Sequence, residues 1–246
     1  MIAFIINILK IVFLLGFLIF IHEGGHFLVA KICKVKVKQF AIGFGPSIFE
    51  FQGKETKYAL RLIPLGGFVS MEGEDEESED ERSFSKASIP KRIAIVAAGA
   101  LVNIIFGIIA FFILVLIVYK DLGIAFSTSG DFILSIFESL KMLFTGNIGM
   151  EDLSGPIGIS NMESQTVGII NYVYLISLVS VSLGITNVLP IPALDGGKIL
   201  LLIIEAIRKK PLKKETEIKI QLIGFSILIA ISIFVTYNDI LKIAHK

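Results

Sequence analysis

Two histidines four residues apart, His22 and His26, flank Glu23, Gly24 and Gly25. On an α-helix, positions i and i+4 fall on one face. Both imidazoles can therefore share one zinc ion, with Glu23 beside them to take a proton from an attacking water. The chain contains only three histidines, so a chance His-Glu-x-x-His is rare, on the order of a few per thousand shuffled sequences. The run from Ile2 to Ala30 is otherwise almost wholly apolar, which sets the motif inside a membrane helix, where ionisable groups are costly and tend to serve function. The competing account is two histidines and a glutamate packed in a helix bundle without metal.

Two imidazoles leave zinc under-coordinated, since a catalytic site takes three protein ligands and keeps one position open. His245 is at the far terminus, and Cys33 follows the first helix on the aqueous side. The carboxylates of the hydrophobic segments are Glu23, Asp195 and Glu205, the last near a basic stretch. Asp195 is thereby the expected third ligand. It stands in Asn187-Val-Leu-Pro-Ile-Pro-Ala-Leu-Asp-Gly-Gly197, where Pro190 and Pro192 each remove a backbone donor and should break the helix. A break at membrane depth is tolerated where backbone lines a polar cavity. The alternative role for Asp195 is the N-cap of a helix running to Ile207, and capping does not preclude ligation.

The elements that must position these groups follow from composition. Of 246 residues, 54% are hydrophobic, and the mean hydropathy is +0.81, far more apolar than a soluble domain of this length requires. The net charge of +1 gives no reason to expect nucleic acid, and the single cysteine excludes an internal disulfide framework. Four stretches are long enough to cross a bilayer: about 2–30, 92–119, 167–189, followed by a broken segment at 190–207, and 220–237. The first lacks an Ala-x-Ala cleavage pattern, so it is expected to remain as a spanning helix rather than a signal peptide. Lysines 31, 34, 36 and 38 follow the first span, and Arg208, Lys209, Lys210, Lys213, Lys214 and Lys219 precede the fourth, whereas 120–166 holds only Lys120 and Lys141. The positive-inside rule then sets the basic segments in the cytoplasm, with both termini and 120–166 outside. At 1.5 Å per residue, His22 and His26 lie roughly 8 to 14 Å below the cytoplasmic interface.

His22-Glu-Gly-Gly-His26 in the first span and the Asn187 to Gly197 run in the third resemble the site-2 protease family of intramembrane zinc metalloproteases, in particular the bacterial regulator-of-sigma-E-protease-like branch that cleaves membrane-bound anti-sigma factors. Further matches are Gly43-Phe44-Gly45, Arg61 to Val69, Ala98 to Asn103, Ser154 to Gly158 and Thr236 to Asp239. The resemblance covers nearly the whole chain. It implies one zinc per chain held by His22, His26 and Asp195, Glu23 as catalytic acid/base, transmembrane protein or peptide substrates such as anti-sigma factors or remnant signal peptides, and a bacterial inner membrane. Two departures stand out. The 120–166 segment, about 47 residues, is too short for the PDZ domain of about a hundred residues usual in this branch, so no PDZ-mediated partner is expected. Ala100 stands where the family's Ala-Gly-Pro pattern has proline, which should straighten the second span locally.

The expected architecture is an all-α membrane protein, one integral membrane protease domain over 1–246, with four transmembrane helices and a small cytoplasmic antiparallel β-sheet on the membrane. Short strands are predicted at Val35–Phe40, Ile48–Gln52, Lys57–Leu62 and Gly67–Met71, within a β-region of about 35–72. An edge of that sheet could pair with an unwound substrate helix. Asn187 and the Gly43-Phe44-Gly45 bend are the expected substrate contacts; for Asn187 the alternative is an interhelical hydrogen bond, and Asn103 is expected to be structural. The acidic run 72–81 reads as a solvated loop without chemistry. Asp131 to Phe144 has the spacing of an amphipathic helix on the outer surface. Two other functions compete with the peptidase: a non-proteolytic metal-binding membrane scaffold, and a metal or ion transporter. Glu23 beside the first ligand favours the enzyme, because neither alternative requires a carboxylate there.

Overall fold

The computed structural model describes residues 2–76, 78–145 and 168–244. The order is α1 (Ile2–Ile32), β1 (Val37–Gln52), β2 (Lys57–Met71), α2 (Ile89–Tyr119), α3 (Leu122–Phe144), α4 (Ile169–Val188), α5 (Asp195–Arg208) and α6 (Lys214–Ala244). Among the described residues, four helices are long and apolar enough to cross a bilayer, over Ile6–Ile32, Ile89–Tyr119, Ile169–Val188 and Lys214–Leu241. The last begins earlier than hydropathy predicts. Glu215 and Glu217 sit in its first turn, where negative charge favours a helix N-terminus, so a polar stretch is recruited into the helix. Large apolar side chains such as Phe13, Phe20, Leu28 and Ile233 are exposed, whereas Asn103, Ser177 and Ser180 are buried. That distribution suits lipid as the surrounding solvent.

The helices and strands form two compact units. One comprises Val12–Ile104 and Leu183–Gly224; the other comprises Met1–Ile11, Ile105–Ser182 and Phe225–Lys246. In the first unit Ala30, Val35, Val37, Met71, Phe84, Ile95, Val96 and Leu202 form a buried core, which ties the end of α1, the sheet, the start of α2 and α5 together. In the second unit Phe111 of α2 stacks on Phe132 of α3 with ring centroids 4.1 Å apart, and Tyr174 of α4 closes the cluster. The Tyr172 hydroxyl donates to the Lys10 carbonyl at 2.7 Å.

The four short strands expected at 35–71 are two long strands paired antiparallel. Glycines make this possible: Gly43, Gly45 and Gly66 have φ of 90°, 82° and 136°, so the chain bends while remaining in the ladder. Gln39 to Ile42 sits between two partners, Ser70 to Gly67 on one side and Lys57 to Leu60 on the other. α3 starts nine residues before the expected amphipathic helix, because an Asp121 oxygen accepts from the Ile124 N–H at 2.9 Å and satisfies a donor of its first turn. α2 runs unbroken through Ala100, as expected from the missing proline. Ser154 to Gly158 and His245 lie outside the described residues.

Candidate metal centre

α1 presents His22 and His26 on one face, with ring centroids 4.8 Å apart and the rings nearly perpendicular. His26 Nδ1 lies 2.9 Å from the Ile95 carbonyl of α2. A carbonyl only accepts, so Nδ1 carries the proton and Nε2 is left with the lone pair that can bind a metal. His26 Nε2 and His22 Nε2 are 3.2 Å apart. Asp195 Oδ2 completes the cluster at 3.1 Å from His22 Nε2 and 3.4 Å from His26 Nε2.

The break that delivers Asp195 has a steric origin. α4 ends at Val188, the chain turns through Pro190 and Pro192, and α5 begins at Asp195. Leu194 is the N-cap residue, so Asp195 stands one position inside the helix rather than at the cap. A Cβ on Gly196 would lie 2.1 Å from the Val188 carbonyl oxygen, and one on Gly197 would lie 2.3 Å from that of Ile191. Only glycine lets the first turn of α5 pack this tightly against the preceding break. The Asp-Gly-Gly sequence thus combines a ligand with the two residues that let it approach.

The donor set fits a tetrahedral cation. Ligands at about 2.0 to 2.1 Å from zinc are spaced about 3.3 Å from one another in a tetrahedron, and the three separations here are 3.1, 3.2 and 3.4 Å. Asp195 Oδ2 is buried without a hydrogen-bond partner, which is costly unless a cation satisfies it. Among the described residues, this is the cluster of three or more His, Cys, Asp or Glu side chains whose ligand atoms lie close enough, within 4.8 Å of one another, to hold a metal.

A cavity of about 210 Å³ opens on the three side chains and on Glu23, and its wall is the end of β2 from Gly67 to Met71. The Glu72 N–H donates to the Lys36 carbonyl, towards β1. Alternation along the strand turns the backbone N–H and C=O groups of Gly67, Val69 and Met71 to the opposite edge. No other described strand pairs there.

Three features of this site were not legible in the motifs. Gly99 of α2 abuts the imidazoles: a Cβ there would lie 2.4 Å from His26 Nε2 and 2.9 Å from His22 Cε1. Glu74, from the acidic run expected to be a plain solvated loop, lines the cavity and pairs with Lys198 of α5. Lys198 is one turn beyond Asp195, so the acidic loop is pinned to the helix that carries the carboxylate. The other expected site residues are placed elsewhere. Asn187 Nδ2 donates to the Leu183 carbonyl of its own helix at 3.0 Å, not across helices. Gly43 sits at the β1 bend, close to the backbone of Arg61 and Ile63, and neither it nor Phe44 or Gly45 lines the cavity.

The model of peptidase family M50 matches residues 10–231. The chain belongs to peptidase family M50. A protein of Clostridium acetobutylicum named as a zinc metalloprotease is 29% identical over 95% of this chain and 97% of its own length. Regulator of sigma-W protease RasP of Bacillus subtilis is 25% identical over 98% and 99% of the two chains, and a zinc metalloprotease by name from Helicobacter pylori is 26% identical over 94% and 98%. These alignments run over 333, 419 and 344 positions against a chain of 246 residues. The relatives therefore carry segments this M50 peptidase does not, consistent with the absence of a PDZ domain. As an M50 member the protein is a zinc metalloprotease integral to a membrane, and its donor set suits that metal.

Proposed function

We propose that this M50 peptidase, working as one membrane domain over 1–246, cleaves transmembrane segments of single-pass membrane proteins at a zinc ion held by His22, His26 and Asp195, with Glu23 as the catalytic acid/base. The observation that carries this reading is the convergence of three ligand atoms at 3.1 to 3.4 Å beside Glu23 and an unpaired strand edge. When bound, zinc polarises a carbonyl oxygen and lowers the pKa of water to about 7. Glu23 takes the proton from the attacking water and passes it to the leaving amide nitrogen. His26, oriented by its bond to the Ile95 carbonyl, would hold the ion through Nε2.

A helical substrate hides each scissile carbonyl in an i to i+4 bond, so it must be held extended. The outward N–H and C=O groups of Gly67 and Val69 offer that hold by strand addition beside Glu23. The proposal extends to Asn187, Gly43, Phe44 and Gly45 as substrate contacts, which site-specific crosslinking to a bound reporter would register. The distribution of basic residues supports a cytoplasm-facing site with both termini outside, in a bacterial inner membrane. Anti-sigma factors and remnant signal peptides are the substrate class this suggests, in keeping with the name of the Bacillus relative.

The test is cleavage of a transmembrane peptide reporter by purified protein together with metal analysis. Wild type should hold about one zinc per chain and cut the reporter, and His22→Ala or Asp195→Ala should lose both. Zinc retained in wild type without cleavage of any reporter would support a metal-binding scaffold. Ion flux in liposomes surviving Glu23→Gln would support a transporter.

A further inference from the structure

Glu74 makes four contacts with no part in the proposed chemistry, one of them a turn bond from its own N–H to the Met71 carbonyl at 3.4 Å. Its Oε2 accepts from the Met71 N–H at 3.2 Å, its Oε1 pairs with Lys198 Nζ, and its carbonyl accepts from Lys214 Nζ at 2.7 Å. Met71 is the last residue of β2, and its N–H points to the unpaired edge. The carboxylate therefore occupies the acceptor position that the carbonyl of an added strand would take. Beyond it lies a second cavity of about 730 Å³, lined by Arg92, Glu205, Lys214 and Glu217 among others. Glu74 and Lys198 line both cavities.

We propose that the Glu74–Lys198 pair is a latch at the end of the substrate cleft: while it is closed a substrate strand stops at Met71, and when a substrate carbonyl displaces Glu74 the chain continues into the second cavity. The occupant of that cavity is the polar flank of the transmembrane substrate. Its walls carry both signs of charge, Arg92, Lys213 and Lys214 against Glu205, Glu215 and Glu217, which suits a mixed polar segment better than an apolar one. Arg92 and Glu205 already pair with each other, Nη1 to Oε2 at 3.1 Å, so the walls are charge-balanced before anything enters. Burial disfavours the charge on Lys198, yet Glu74 and more distant Glu217 and Asp75 hold its pKa above the ordinary lysine value. The cation stays charged and keeps the latch closed without substrate. The pair thus selects for substrates whose flank competes for Met71 and fixes how far an extended chain runs past the metal. The latch rests on the strand-addition reading above.

The experiment uses the full chain in detergent with one transmembrane reporter in two forms, one with its polar flank intact and one trimmed just past the cleavage point. Glu74→Gln with Lys198→Met removes both charges at similar volume, avoiding a lone buried ion. The ratio of kcat/KM for intact over trimmed reporter is expected to rise about tenfold, the scale of one charge-assisted hydrogen bond. The charge swap Glu74→Lys with Lys198→Glu restores an ion pair but offers the Met71 N–H no acceptor, so the ratio should stay raised, whereas a pair acting only through its charges would return it to wild type. If the neutral double variant loses its zinc, Glu74→Gln with Lys198→Gln is read in the same way. An unchanged ratio in a zinc-loaded variant overturns the latch. A reporter N-methylated at the amide opposing Val69 separates the two failures. If it is cut as well as its parent, strand addition fails and the latch with it; if it resists cleavage while the ratio stays fixed, the latch alone fails.

Discussion

In the unit formed by Val12–Ile104 and Leu183–Gly224, charge is gathered inward: His22, Glu23, His26 and Asp195 meet in one cavity, and Glu74–Lys198 and Arg92–Glu205 pair beside it. In the unit formed by Met1–Ile11, Ile105–Ser182 and Phe225–Lys246, the described contacts named above are of another kind, ring on ring at Phe111, Phe132 and Tyr174 and hydroxyls bonded to backbone carbonyls, as Ser177 to Val173 and Tyr172 to Lys10. The contrast separates two tasks. One region concentrates costly polar groups because chemistry needs them, and the other packs helices through aromatic rings and through hydroxyls satisfied by backbone carbonyls. Substitutions should therefore sort into those that abolish turnover and those that loosen the bundle.

The largest effect is expected from the ligand cluster. Asp195→Ala should lose bound zinc and all detectable cleavage while helix content by circular dichroism is retained. A metal content equal to wild type would remove Asp195 from the site. Next is Gly99→Ala, where the added methyl meets His26 Nε2. Zinc affinity should fall by about 10- to 100-fold, the range for disturbing the support of a metal ligand; competition with a chelator reads it directly.

Phe132→Leu belongs to the other region. It should lower the melting temperature through the loss of stacking worth about 0.5 to 1.5 kcal/mol, with zinc content unchanged. Loss of metal in this variant would erase the contrast between the units. The smallest effect is at the rim of the sheet. The Arg82 backbone N–H and then Lys36 hold the Asp80 carboxyl below the ordinary carboxylate range. A depressed pKa contributes stability above the unfolded value, and that contribution is lost as pH falls through the folded one. Wild type should thus lose a little more stability than Asp80→Asn as pH drops below about 4, measured as the difference between their melting temperatures.

How far the sequence reveals each region follows from how local its determinants are. His22 and His26 are read from a four-residue spacing, and Asp195 from the scarcity of carboxylates among apolar residues. Spans follow from hydropathy over twenty residues. The partnership of Glu74 with Lys198 joins positions 124 apart in sequence, and nothing within the acidic run distinguishes Glu74 from its neighbours. Gly99 falls in a short matching run, yet its closeness to His26 is a property of packing. The sequence suggests four strands rather than two long ones because Gly43 and Gly66 look like chain breaks in one dimension but act as bends within a ladder. α3 is longer than its periodicity suggests because its cap, Asp121, precedes a stretch with little apolar repeat.

The central claim is that Glu23 performs the proton transfers at a metal held by the other three side chains. Zinc stoichiometry and reporter cleavage, measured on the same preparations of wild type and Glu23→Gln, test it most directly. The variant should bind about one zinc per chain, as wild type does, and cleave at least about 100-fold more slowly. Comparable cleavage by the zinc-loaded variant would contradict the account.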